Sequence, residues 1–284
     1  MADDIVKTME KAGYTIRETD PFEDTRHITL STRGVSPYVN RIRLMWDAMR
    51  GPVIGALPAA PGIPRDTRAY LKAVDDIYVN DAYHSLSIEG YRVSPELIER
   101  VRSGAWNPEQ NPQDRENRNA LAARGYYDAF VSVKASIERV LSGESAGAVS
   151  HNIRRSMHVP PRSEAVRDCM PALFELLGSE PEPAVRVVLG HFFFVYVHPY
   201  MDGNGRLGRF LMNVMLASGG YPWTIIPLER RNDYMAALES ASVRQDIRPF
   251  AVFLGSLVEA GLRGQSAPPV PAARIDPVAR PRRS

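Results

Sequence analysis

Apolar residues recur at helical spacing along most of this chain. Leu207, Phe210, Leu211, Val214 and Met215 fall at i, i+3, i+4, i+7 and i+8, one stripe on a helix near 205–218. Val185, Val188, Leu189 and Phe192 repeat the pattern near 183–197, and Pro183 suits the first helical position. An earlier helix is expected from Asp66 or Thr67, both good caps, to about Ile88, with Tyr70, Ala73, Val74 and Ile77 as its apolar face. Ser94-Pro95 opens another, with Leu97, Ile98 and Val101 inside. Further helices are predicted near 118–141, 163–177, 230–241 and 247–262. Proline and glycine punctuate 52–64, and polar residues fill 107–117, so both read as loops. Residues 1–50 are mixed and assign no element. Strand-like alternation is weak throughout, so the expected fold is mostly α. The tail beyond Gly264, rich in Pro, Ala and Arg, reads as disordered.

One of those helices starts inside a dense chemical cluster, His198-Pro199-Tyr200-Met201-Asp202-Gly203-Asn204-Gly205-Arg206-Leu207-Gly208-Arg209. His198 carries an imidazole, the side chain most often used to take a proton from a hydroxyl. Asp202 is a hard oxygen ligand of the kind Mg²⁺ prefers. Gly203, Asn204 and Gly205 can turn successive backbone N–H groups toward an anion, and a helix N-terminus just after them adds donors and a favourable dipole. Arg206 and Arg209 sit at i and i+3, on one helix face away from the apolar stripe. The cluster reads as a polyphosphate and metal site with a base beside it.

Two other motifs compete. Gly203-x-Gly205-x-x-Gly208 spells a dinucleotide-binding fingerprint, preceded by an apolar run and followed by Glu229 at about the distance a Rossmann unit needs. Against it, the apolar run from Val185 to Val197 is too long for a typical strand and has helical spacing. Little chain also remains after it to build a doubly wound sheet. Gly143-Glu144-Ser145-Ala146-Gly147 matches the nucleophile elbow, but a helical pattern precedes it where a strand is required. It reads as a helix end and a loop.

Composition narrows the remainder. The 284 residues include 44% hydrophobic and 24% charged side chains, enough for a sizeable core. A net charge of +2 gives no nucleic-acid footprint. Cys169 is the only cysteine and falls in an amphipathic segment, so a packed thiol is expected rather than a disulfide or a cysteine metal site. His27, His84, His151, His158 and His191 share no ligand spacing, and His191 reads as a core residue. The start lacks a signal-peptide pattern and no apolar run suits a bilayer, so a cytoplasmic protein without membrane contact is the expectation.

The cluster at 198–209 resembles the signature of the Fic family, His-Pro-Phe-x-Asp/Glu-Gly-Asn-Gly-Arg-x-x-Arg, departing only in Tyr200 for Phe. The likeness extends from about Asp66 to about Val258. It implies a Fic-type helical bundle, with 1–64 as an N-terminal segment and linker, 65–262 as the Fic domain and 263–284 as a tail. It implies a protein adenylyltransferase that moves AMP from ATP, with Mg²⁺, to a Tyr, Ser or Thr hydroxyl of a target protein. His198 would be the base and Asp202 the metal ligand. Gly203, Asn204, Gly205 and Arg206 would cradle phosphates, and Arg209 would grip the γ-phosphate. Ser85-Leu86-Ser87-Ile88-Glu89-Gly90 is similar to the family's inhibitory motif, in which Glu89 would pair with Arg209 and hold ATP in a non-productive pose. Tyr234, Met235 and Ser242 occupy positions that line the adenine site in Fic proteins, although Tyr234 read by itself is a core aromatic on the helix after Arg231. The β-hairpin flap expected between Leu141 and Pro160 is short, which leaves weak transfer open. Self-modification, a homodimer, AMP removal, another nucleotide donor and a catalytically poor binding module also remain open.

Overall fold

The computed structural model describes residues 37–106, 118–144, 164–265 and 268–270. Ten α-helices are present among them: α1 Pro37–Val53, α2 Thr67–Asp76, α3 Tyr78–Ile88, α4 Pro95–Arg102, α5 Arg118–Leu141, α6 Glu164–Ser179, α7 Pro183–Val197, α8 Asn204–Ser218, α9 Arg231–Arg244 and α10 Arg248–Leu262. A short 3-10 turn, Leu228–Arg230, leads into α9. No strand occurs among the described residues, in keeping with the mostly α expectation.

The antiparallel pair α7 and α8 forms the centre. Nearly all of α8 is buried, from Gly208 through Ala217, as is α7 from Val187 to Phe194. Helix α5 packs on α8, α6 and α1 pack on α7, and α9 pairs with α10. A helix apolar on most sides has to be enclosed, and these two are. Their enclosure fixes the connecting loop, residues 198–203, where the signature lies.

Several boundaries follow the caps. Asp66 accepts from the Ala69 amide at 2.9 Å and Ser94 from the Leu97 amide at 3.2 Å, each satisfying an orphan donor of a first turn. Three features differ from the sequence reading. Helix α1 lies in a stretch read as pattern-free and runs through Pro52 to Val53. Its stripe of Val39, Ile42, Met45, Trp46, Met49 and Val53 is buried, and Pro37 opens it. The single helix expected over 66–88 is two helices meeting at Ile77. Every residue from 75 to 81 belongs to the poorer helix formers, so tertiary packing rather than propensity sets the geometry there. Leu228–Arg230 forms a 3-10 turn before α9, which itself extends to Arg244. The expected flap lies outside the described residues apart from Gly143 and Glu144. So do the loop at 107–117, nearly all of the tail and residues 1–36.

Candidate active site

His198 ends α7 in a left-handed conformation, φ 51 and ψ 60, with its amide on the Phe194 carbonyl at 3.1 Å. That backbone state is unusual for a non-glycine residue and leaves the imidazole exposed at the head of the loop. The loop is held by Asn204. Its side chain accepts from the Tyr200 amide at 2.9 Å and donates to the Tyr200 carbonyl at 2.6 Å. Gly203 takes φ 82 as the N-cap of α8, with no side-chain cap. The first-turn amides of α8 thus form an uncapped helix N-terminus, a ready anion site. Asn204 is 2% exposed and its side chain is committed to the loop, so any cradle role expected of it falls to its backbone amide.

That end of α8 already faces an anion. The Glu89 carboxylate lies so close to Gly205 that a Cβ there would meet Oε1 at 2.6 Å. Glu89 Oε1 is 2.8 Å from Arg209 Nη2, and Oε2 is 2.7 Å from Arg206 Nε. The second contact is an ion pair without hydrogen-bond alignment, because Nε has no acceptor in line. Arg209 is further fixed from α3 through Nε to Ser85 Oγ at 2.8 Å and Nη2 to the Ser85 carbonyl at 2.9 Å. Burial works against the Arg209 charge, and Tyr234, Glu89 and Tyr126 outweigh it, so its pKa is held above the ordinary value. Ser85 and Glu89 therefore meet Arg209 across a separation of more than a hundred residues, with both signature arginines engaged.

Asp202 is exposed in the loop. Its Oδ2 accepts from Arg206 Nη2 at 2.9 Å and from the Tyr91 hydroxyl at 3.2 Å. Burial acts to raise its carboxyl, but Arg206, the Gly203 amide and Tyr91 prevail, and the group sits below the usual carboxylate range. Tyr91, Asp202, Gly203 and Arg206 border a cleft of about 340 Å³ against α5. Another cavity, of about 450 Å³ between α2 and α10, is mainly apolar and does not include the signature.

Beneath the arginines lies a buried polar layer that the sequence reading missed. Asp81, at i−4 from Ser85 and i−8 from Glu89, is 5% exposed and accepts from Tyr126 Oη at 2.6 Å. Desolvation, partly offset by the Tyr126 hydrogen bond and the Arg209 charge, pushes its carboxyl up to about 6. The helical repeat of Asp81, Ser85 and Glu89 was visible, but only the fold shows that this face meets α8. His84 sits behind it, 0% exposed, with Nδ1 accepting from the Leu228 amide and Nε2 within 3.1 Å of the Pro268 carbonyl.

The three positions expected to line a nucleoside all lie on α9. Tyr234 is 1% exposed, its hydroxyl 2.7 Å from His191 Nε2 and its ring against Phe250 and Phe253. It is a core aromatic below Arg209, because the periodicity of α9 turns it inward with Ala237 and Ala241. Met235 is exposed, and the Ser242 hydroxyl bonds to the Glu239 carbonyl of its own helix. His191 is the core residue the sequence suggests, and Cys169 is buried.

The Fic/DOC family pattern matches residues 67–216, which includes Glu89 and the whole signature. A protein adenylyltransferase Fic from Nematostella vectensis is 42% identical over 217 residues, covering 69% of this chain and 51% of that protein. One from Aedes aegypti is 30% identical over 215 residues, covering 68% of this chain and 43% of that protein. The chain spans about half the length of these relatives. A solved fragment of Fic-1 from C. elegans shares the fold, with a TM-score of 0.52 at 20% identity over 80% of this chain and 73% of that one. With the pattern matched over more than half its length, the chain belongs to the Fic/DOC family.

Proposed function

We propose that this chain transfers AMP from ATP to a hydroxyl side chain of a protein and that Glu89 holds it inactive. The observation that carries the reading is the Glu89 carboxylate over Gly205, ion-paired with Arg206 and Arg209. A carboxylate occupies the place where a helix N-terminus and two arginines would bind phosphates. The relatives named protein adenylyltransferase support the activity.

Mg²⁺ fits the donors in one way. No group of three or more His, Cys, Asp or Glu among the described residues can cage a metal. Asp202 alone suits Mg²⁺, which one or two carboxylates plus substrate phosphates commonly hold. When bound there, it would neutralise charge on the phosphates. The protein's own steps are positioning and proton transfer. The α8 amides and Arg206 would hold the phosphate chain, and Arg209 would grip its terminal group once Glu89 withdraws. His198 takes the proton from the attacking hydroxyl. The hydroxyl oxygen bonds to the α-phosphorus, the bond from that phosphorus to the β-bridging oxygen breaks, and pyrophosphate leaves.

Intact-mass measurement of the full chain with ATP and Mg²⁺, wild type beside Glu89→Gly, tests this. The expected result is one added AMP on the variant, far less on wild type, and none in EDTA. Equal labelling of both proteins refutes inhibition by Glu89. No transfer in either, with ATP bound by calorimetry, refutes the transferase reading in favour of a binding module.

A further inference from the structure

Two residues past Glu89, Tyr91 leaves α3 in a fixed direction. Gly90 takes φ 85 and the Tyr91 amide reaches back to the Leu86 carbonyl at 3.1 Å, the closing bond of a Schellman turn. The side chain then meets two members of the signature. Its hydroxyl donates to Asp202 Oδ2 at 3.2 Å, and its ring lies 5.2 Å from the Arg206 guanidinium carbon. Arg118 stacks on the same ring, also at 5.2 Å. Arg206 itself donates to the oxygen that Tyr91 reaches, Oδ2. Both side-chain donors thus converge on one carboxylate oxygen, and Oδ1 has no side-chain donor among the described residues.

We propose that Tyr91 is a positioning residue for the metal: it fixes the Asp202 carboxylate so that Oδ1 is presented to a divalent cation, and it holds Arg206 beside it. This rests on the transferase reading above. An exposed loop carboxylate loses rotamer freedom when it takes a ligand, and a hydrogen bond that settles its orientation beforehand removes part of that loss. Donors to a ligating carboxylate tune metal affinity in this way. The same short turn therefore both inhibits, through Glu89, and prepares the metal ligand, through Tyr91.

The test uses Mn²⁺ as a paramagnetic probe. The full chain carrying Glu89→Gly, which opens the site, is titrated with Mn²⁺ in saturating non-hydrolysable ATP analogue, and free Mn²⁺ is read by electron paramagnetic resonance. Tyr91→Phe, Tyr91→Ala and Asp202→Ala are added in turn. Tyr91→Phe is expected to weaken Mn²⁺ binding by about tenfold, the lower end for loss of such a partner. Metal-free affinity for the analogue is expected to stay unchanged, because the ring remains under Arg206. Tyr91→Ala is expected to weaken both. If Tyr91→Phe binds Mn²⁺ as tightly as its parent, or more tightly, while Asp202→Ala loses it, the role of Tyr91 is overturned and the metal site stands. If Asp202→Ala binds Mn²⁺ undiminished, the metal reading falls and the proposal with it. A thermal melt of each variant separates loss of fold, to which Tyr91→Phe, losing one hydroxyl, is the least exposed.

Discussion

At the residue scale, His198 joins a reactive group to a backbone state that only some residues tolerate. Its φ of 51 is a left-handed conformation that histidine and asparagine adopt more readily than alanine. A test of its role must therefore separate the base from the turn. In the Glu89→Gly background, His198→Asn is expected to slow transfer by about 10²–10⁴-fold, the usual cost of losing a general base. ATP affinity by calorimetry is expected to stay within about twofold, since His198 serves the acceptor and not the phosphates. Transfer at the parental rate by the Asn variant would remove His198 from the mechanism. Its candidacy was legible from residue type and neighbours. The strained conformation was not, because it depends on where the buried end of α7 must stop.

At the scale of elements, α3 presents three acidic or hydroxyl groups to α8, and they sit in different dielectrics. Glu89 is at the rim, whereas Asp81 is enclosed and its carboxyl is pushed from 3.8 up to about 6. The sign follows from proton binding. Between those values the folded state keeps a proton that the unfolded chain has released, so this group favours folding more as pH falls through the window. Above pH 6 its burial penalty is complete, on the order of 3 kcal/mol from about 1.4 per unit. His191, lowered to about 4 by desolvation, acts in the opposite direction, losing stability as pH falls below its ordinary value. Asp81→Asn keeps an acceptor for Tyr126 and leaves His191 untouched. It is expected to melt a few degrees above wild type at pH 7.5, with the gap closing by pH 4. A gap constant across thermal melts from pH 4 to 8 would mean that Asp81 does not titrate there. The α3 stripe was visible as spacing, but its burial was not, since Asp81 is polar and only α5 and α8 close over it.

At the scale of the whole molecule, a loop early in the chain is stitched to the end of α8. The Gly62 amide donates to the Gly219 carbonyl at 3.1 Å, Tyr221 Oη to the Pro58 carbonyl at 2.6 Å, and Tyr70 Oη to the Tyr221 carbonyl at 2.8 Å. A Cβ at Gly220 would meet the Gly62 carbonyl oxygen at 1.7 Å, on a backbone with φ 79. Backbone cannot yield as a side chain tip can. Gly220→Ala is therefore expected to lose roughly 3 kcal/mol or more in urea unfolding. Gly62→Ala shares the positive φ but has open space around it, and is expected to lose only about 1–2 kcal/mol. Equal losses would show that backbone conformation, not the clash, sets the cost. The sequence by itself determined the helices with strong periods, α4, α5, α7, α8 and α10, because an apolar stripe and a cap are local properties. It determined the signature loop too, since the residue types there have few other chemical uses. It did not determine the break at Ile77 or the helix at 37–53. Only the tertiary structure decided these, because each depends on which neighbour covers a face. The same holds for Glu89 over Gly205: the motif was readable, but the contact exists because two helices distant in sequence bury their apolar sides against a common core.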